Sequence, residues 1–434
     1  NYLINNIDTA FTAGGEKSLY KEYAAAKAIR AWTYMQIVLN YGKAKYYTEP
    51  LLTVQAAQAS FPEYSIHEMV PALIKDLEPV KNAETPGRIS LGVDMSSDKL
   101  FFPIPLLLGD LYMWNGQFEN AAREYYSLIE ENKYVLDDRY SSIWTVDNGV
   151  FVQRGVIDQN YIEIFDLTNR EQITLIAGST EFGEEDELYK MTIENYELTA
   201  SKVAKENWNQ QIYYYNENAT IPGDLRGSFG SYIGEGYRLG GLSDENAILK
   251  YFLIHSNAQV SKAIMIYRVA TLYLRYAEAV NRAGKPNLAF AVLKYGMNPE
   301  SLAVDTIVPR HEKYSAYANS IGTFIDYINF SNIAFEENIG VHSRGCGNMD
   351  KATDYVIPAL NSKQDSILYV EDKIVEELAL ETAFEGNRFQ DLMRIAMRRN
   401  DPSYLANKVA AKHTGNEQAI RSKLMDENNW YLKK

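Results

Sequence analysis

The sequence predicts a mainly α-helical protein built from stacked helix pairs, and three stretches carry that expectation. In residues 264–295, Val269, Leu272, Tyr273, Tyr276, Ala277 and Val280 recur at the spacing of one face of an amphipathic helix. Gly284 then offers the left-handed conformation that ends a helix, and Pro286 supplies the fixed φ that suits the first turn of the next. A second helix carrying Leu288, Ala289, Val292 and Leu293 must fold back on the first. Residues 105–133 repeat the design in register. There Gly109, Tyr112, Gly116, Phe118, Ala121 and Tyr125 fill the positions of Ala277, Val280, Gly284, Pro286, Ala289 and Leu293. This is the small, large, glycine, aromatic and alanine order of tetratricopeptide repeats. Residues 369–399 resume the pattern a third time, with Gly386 at the turn and Ala379 before it. Hairpins of this kind bury their apolar stripes only against further hairpins. The expectation is therefore one scaffold of four helix pairs.

Taken in order, residues 17–41 form the first repeat helix, with Ala28, Ala31, Trp32, Met35 and Leu39 on one face and Gly42 at its end. Trp32, in mid-helix, reads as packed core. Residues 43–64 read as a loop rich in aromatic residues and proline: Tyr46, Tyr47, Pro50, Phe61, Pro62 and Tyr64. A helix over 65–80 follows, with Ser65 as N-cap and Glu68 completing a capping box. After residue 136 the helical period fades. Short β-like runs appear (GVFVQ, NYIEIFDL, QITLIAG, NQQIYYYN), joined by glycine-rich connectors over 223–242. A long irregular stretch in a helical protein is usually functional or disordered, and its Tyr and Trp content argues against disorder. It reads as an ordered insertion, about 137–261. A second insertion, about 296–368, contains GVHSRGCGNMD. The scaffold is expected at 17–136, 262–295 and 369–413, with a last helix at 402–412 and the tail ENNWYLKK, all within a single domain over 1–434.

Composition narrows the function. The chain of 434 residues is 46% hydrophobic and 23% charged, as in ordinary globular proteins. Its net charge of −14, with no block of clustered Lys and Arg, disfavours nucleic acid and anionic membrane surfaces as partners. The 33 Tyr and 5 Trp point to a polar-ligand surface or to repeat interfaces. One cysteine, Cys346, excludes an internal disulfide and reads as a small filler residue. No apolar run is long enough to span a membrane. There is no H-E-x-x-H, G-x-S-x-G or P-loop run and no Cys/His pair at metal-ligand spacing, so neither a cofactor nor a metal is called for. GEGYRLGG at 234–241 lacks the strand-to-helix setting of a dinucleotide loop. The acidic run GEEDE at 183–187 reads as a solvated loop, with calcium as the alternative.

Four segments together resemble the RagB/SusD family: AKAIRAWTYMQIVLNYG, NYIEIFDL, RVATLYLRYAEAVNRAGKP and, above all, ELALETAFEGNRFQDLMRIAMRR. The last is similar to that family's E-x-A-x-E-x-A-F-E-G-x-R-F-x-D-L-x-R signature, and the resemblance covers nearly the whole chain. The segments GVHSRGCGN and NNWYL are similar to those of one subgroup, while Lys433 and Lys434 stand where relatives commonly have a proline. The resemblance implies a lipid-anchored protein on the extracellular face of the outer membrane. Such a protein binds oligosaccharide or polysaccharide without cleaving it and serves as the lid of a SusC-like, TonB-dependent transporter. The segment bearing the lipidated cysteine, and part of the ligand surface, are expected outside residues 1–434. Two other readings stay open. One is a RagB-like protein that takes up peptide or glycopeptide. The other is a helical glycan-degrading enzyme, whose two carboxylates need not be adjacent in sequence.

Sugar rings present apolar C–H faces and hydroxyl edges, so a glycan platform needs exposed flat aromatics beside polar side chains, held on loops by a rigid scaffold. The best match lies in the central insertion: Trp208, Tyr213, Tyr215, Arg226, Tyr232 and Tyr237, with Tyr214, Arg238 and the polar run Asn209, Gln210 and Gln211 beside them. In a strand, Tyr213 and Tyr215 would share one face and Tyr214 would take the other. Trp144 reads as packing the insertion onto the repeats. Glu385, Arg388 and Asp391 in the signature are spaced to share a helical face or turn. They read as a structural ion-pair network, because buried charges persist only when paired.

Overall fold

The computed structural model describes residues 1–434 except 18, 88–94, 137–142, 148–149, 155–163, 167–168, 180–182, 217–218, 229, 235–245, 253–261, 316–322, 332–334, 337, 347–354 and 434. At 16, 143–147, 150–154, 215–216, 219–222 and 262 it describes the backbone alone. The chain divides into two compact units. One comprises Asn1–Leu91, Ser96–Tyr125 and Phe389–Lys434; the other comprises Gly92–Met95 and Tyr126–Arg388.

The fold is mainly helical, as the periodicity predicts. In the first unit, α1 (Tyr20–Tyr41) packs on α2 (Ile66–Leu77), and both pack on α3 (Ile104–Trp114). Ala28, Ala31, Met35 and Leu39 are buried on α1, while Trp32 is half-buried and stacks on Phe102 at 5.2 Å. The capping box forms, with the Ser65 N–H and Oγ both donating to Glu68 Oε2 at 2.8 Å. Residues 43–64 depart from the loop expectation. They carry an antiparallel hairpin of β1 (Lys43–Lys45) and β2 (Glu63–Ser65), with Ala44 opposite Tyr64 and a single helical turn, Val54–Ala57, between the strands. Three-residue strands are too short to leave a readable alternation.

After α3 the chain turns at Gly116 into α4 (Phe118–Glu130). Gly116, Gly284 and Gly386 hold φ of +74°, +82° and +84°, so all three predicted hairpin turns have the left-handed residue they require.

The second unit holds the organising hairpin, α6 (Val269–Arg282) and α7 (Pro286–Lys294), packed against α8 (Lys363–Glu381). Two details differ from the sequence reading. Residues 262–268 are a strand, β8, antiparallel to β5 (Gln172–Gly178), because their apolar residues merge with the helical stripe that follows. Moreover, α6 is buried on every side from Val269 to Asn281 instead of along one stripe. Two of its polar side chains are paired: Arg275 lies 3.7 Å from Glu278, and Asn281 Nδ2 donates to Ile367 O at 2.9 Å.

The described residues of the central insertion form short elements. β3 (Ile143–Asp147) pairs with β4 (Val150–Arg154), and β6 (Ile212–Asn216) pairs with β7 (Ala219–Pro222). The described part of NYIEIFDL is not a strand but a helical turn that buries Ile164 and Phe165. A helix absent from the sequence reading, α5 (Lys202–Asn209), is capped by Ser201 Oγ, which accepts from the Ala204 N–H at 3.2 Å. The chain closes with α9 (Arg388–Arg399), α10 (Pro402–Ala410) and α11 (Glu417–Leu424), the last also not foreseen. Trp430 in the tail is buried, its Nε1 donating to Leu424 O at 2.8 Å.

Candidate functional site

The signature helix α8 presents Glu377 and Glu381, with Glu385 in the turn just beyond, four residues apart and so on one side. Cations from four separate segments converge on this acidic stripe. Arg226 reaches Glu377 Oε1 and lies 2.8 Å from Glu381 Oε2, while its Nε and Nη2 donate to Asp224 at 2.9 and 2.6 Å. Arg268 donates to Glu381 Oε1 at 2.7 Å and to both oxygens of Glu385 at 2.9 Å. Arg344 bridges Glu381, at 2.9 Å, and Glu171. Lys250 Nζ donates to Glu385 Oε1 at 2.6 Å and to the Glu381 carbonyl at 2.9 Å. All these side chains are almost wholly buried.

The electrostatics follow from the pairing. Burial opposes ionisation of Glu381, but Arg344, Arg268 and Arg226 outweigh it and hold its pKa far below the usual carboxylate range. Glu377 and Glu385 are lowered for the same reason, against burial, by Arg226 and His342 and by Arg268 and Lys250 respectively. Burial pushes Lys250 down to about 8, although Glu385 pulls the other way. The cluster thus binds six chain segments to one another through paired, ionised groups. Gly345 shows how tightly: a Cβ there would collide with Asp224 Oδ2 and the Tyr213 hydroxyl.

Four of the six predicted platform residues belong to this packed region. Trp208 is 1% exposed, its Nε1 donating to Leu380 O at 3.1 Å and its ring lying 5.7 Å from that of Tyr232. Tyr213 is fully buried, with its hydroxyl 3.1 Å from Asp224 Oδ2 and 3.2 Å from His342 O. Arg226 is fully buried in the ion pairs, and Tyr232 is 6% exposed. None of the four presents the free face that a sugar platform requires, because the insertion folds its aromatics inward onto α8. Tyr215 lies in β6, at the register shift between Tyr214 and Asn216. Tyr237 lies outside the described residues, as does Arg238.

The signature residues also separate. Glu385 joins the cluster as expected, but Arg388 donates to the Val375 carbonyl at 2.7 Å and Asp391 pairs with Arg394 at 3.2 Å. Glu385 lies in the turn after α8, whereas Arg388 and Asp391 both lie on α9. Cys346 is buried, its Sγ 2.7 Å from Ser343 O, as a filler would be. In GEEDE, Glu185 pairs with Lys190 at 2.5 Å and Asp186 caps a helical turn at Tyr189.

An open cleft lies elsewhere, in the first unit. It measures about 720 Å³ and is lined along α1 by Arg30, Thr33 and Ile37, and across from them by Lys43, Lys45, Tyr47 and Phe61. The Tyr47 and Phe61 rings are 4.8 Å apart and both half-buried, so each keeps an accessible part. The Tyr34 hydroxyl fixes this wall: it donates to Tyr47 O at 2.7 Å and accepts from the Tyr47 N–H at 3.1 Å. The aromatic loop over 43–64 was visible in the sequence. Its hairpin, which turns Tyr47 toward α1, was not.

The comparisons with known proteins agree with this architecture. Residues 78–295, half of the chain, match the model of the SusD family. A SusD superfamily protein from Bacteroides thetaiotaomicron VPI-5482 superposes with a TM-score of 0.53 at 13% identity, covering 99% of this chain and 78% of that one. A second from the same organism gives 0.52 at 15% identity, covering 96% and 74%. A SusD-like carbohydrate binding protein from Bacteroides vulgatus ATCC 8482 gives 0.50 at 16%, covering 91% and 67%. These likenesses show a shared fold. No curated protein matches the chain. The family-model match and the helix-pair scaffold lead to one conclusion: this chain belongs to the SusD family.

Proposed function

We propose that this protein binds glycans at the cell surface without cleaving them and delivers them to a SusC-like, TonB-dependent outer-membrane transporter. The observation that carries the reading is the cleft beside Tyr47 and Phe61. Its two rings offer flat apolar area to the C–H face of a sugar, while Lys43 and Lys45 offer donors to its hydroxyl edge and Thr33, whose hydroxyl donates to Ile29 O, offers an acceptor. Membership of the SusD family supports it, and a fold-related member carries the description carbohydrate binding protein. Binding without cleavage fits the carboxylates of the second unit. A glycosidase acid needs a raised pKa in contact with substrate, whereas Glu377, Glu381 and Glu385 are buried and held ionised.

Within the same reading, Tyr215 and Tyr237 stay proposed ligand contacts of the central insertion. Trp208, Tyr213, Arg226 and Tyr232 act by anchoring the segments on either side. In this reading attachment is through an N-terminal lipid; among the described residues no helix is long and apolar enough to cross a membrane. The test is affinity electrophoresis in gels cast with plant, host-mucin or microbial polysaccharide. Wild-type protein is expected to be retarded in at least one gel, and Tyr47→Ala to lose roughly tenfold or more in affinity, which is about 1.4 kcal/mol. Folded wild-type protein that migrates freely in every gel would overturn the reading.

A further inference from the structure

The cleft differs from the molecule around it in charge. The whole chain carries 57 acidic against 43 basic residues, yet the cleft wall contains Arg30, Lys43 and Lys45 and no carboxylate. Lys43 and Lys45 are exposed and flank the buried Ala44 on β1, so the alternation of the strand sends both ammonium groups to one side. On α1, Lys27 and the lining residue Arg30 share a single carboxylate, Asp76, at 2.9 and 2.7 Å. That group of three retains one positive charge, and it is largely buried, where screening by salt is weak. Acidic residues near the lysines lie outside the wall. Glu63 faces Lys45 across the hairpin, and Glu68 is engaged by Ser65. The aromatic wall and the cationic rim therefore meet in one groove.

We infer that the ligand of this cleft is an anionic glycan, its carboxylate or sulfate groups meeting Lys43 and Lys45 while a sugar face lies on Tyr47 and Phe61. The inference rests on the cleft being the glycan site and adds the chemical class. A neutral glycan would offer the two exposed ammonium groups hydrogen bonds but no counter-charge, and an anionic peptide would lack the sugar faces that stack on the aromatics. In a chain of net charge −14, a local positive groove also selects which anions approach it closely.

The experiment measures retardation by polygalacturonate (carboxylate only), carrageenan (sulfate only) and two neutral polysaccharides, dextran and laminarin. Wild-type protein is run beside the double variant Lys43→Gln, Lys45→Gln, with the unfolding temperature of both recorded. The expected result is binding to one or both acidic polymers, at least tenfold tighter than to either neutral one. Raising the salt to about 0.5 M should abolish it, because the Debye length then falls well below 10 Å. The double variant should lose the preference while unfolding at the wild-type temperature, since both lysines are exposed. Whichever acidic gel retards the protein separates the carboxylate source from the sulfate. Equal binding of neutral and acidic polymers, or acidic binding unchanged in the variant, overturns the anionic inference and leaves glycan binding in place. No retardation in any gel overturns both.

Discussion

The cluster around Glu381 and the cleft beside Tyr47 are made of the same residue types, arginine, lysine and aromatic rings, in opposite circumstances. In the cluster every charge meets its counter-charge within the protein, and the rings of Trp208 and Tyr213 are sealed. In the cleft two lysines stand exposed and the rings of Tyr47 and Phe61 keep accessible area. The first arrangement contributes to holding six segments of the chain in place; the second offers groups to something outside it. Residue type alone does not separate scaffold from site, whereas pairing and exposure do.

The strongest way to break the comparison is to remove the carboxylate at the centre of the cluster. Glu381→Ala removes the one carboxylate shared by Arg226, Arg268 and Arg344, which keep only their outer partners Asp224 and Glu377, Glu385, and Glu171. It is expected to cost about 3–5 kcal/mol of stability, the usual penalty for removing one partner from a buried ion-pair network. Chemical denaturation reads this directly, and a loss below about 1 kcal/mol would mean that the cluster is not structural.

Acid should attack the same place. Glu377, Glu381 and Glu385 are held below their ordinary value of 4.5 in the folded protein, so the unfolded chain takes up protons first as the pH falls. Their contribution is complete above that value and is lost progressively below it. The unfolding midpoint should therefore drop steeply below about pH 4.5. A midpoint flat from neutrality to pH 3 would contradict the pairing.

A smaller effect tests the repeat scaffold. In α3, a Cβ at Gly109 would strike the Tyr125 ring, whose hydroxyl is held by Asp110 Oδ1 at 2.6 Å. Gly109→Ala should cost about 1–3 kcal/mol by overpacking, although alanine otherwise favours helix. Unchanged thermal unfolding would show that the two helices can separate freely.

How far the sequence foretold these features depends on how local the causes are. The hairpin turns at Gly116, Gly284 and Gly386 were legible because a helical period and a left-handed residue lie within a few positions of each other. The capping box at Ser65 and Glu68 was legible for the same reason. Arg226 could not be assigned to the interior from its neighbourhood, since its partners Glu377 and Glu381 lie 151 and 155 residues away. Trp208 and Tyr213 sit in a stretch whose glycines and tyrosines look like a surface loop until α8 covers it. Conversely, the loop over 43–64 announced its aromatics, but the three-residue strands that shape the cleft carry too little pattern to read. The strand before α6 was hidden by an apolar run that continues the stripe of the helix.

The most direct measurement sets two aromatic variants side by side, Tyr47→Ala from the cleft and Trp208→Phe from the packed insertion, recording polysaccharide retardation and unfolding temperature for each. Losing the Trp208 indole donor leaves Leu380 O short of a partner, so that variant should unfold earlier by about 1 kcal/mol or more and still be retarded. Tyr47→Ala should unfold close to wild type and migrate freely. Loss of retardation in Trp208→Phe, with Tyr47→Ala still retarded, would contradict the account and return the ligand surface to the central insertion.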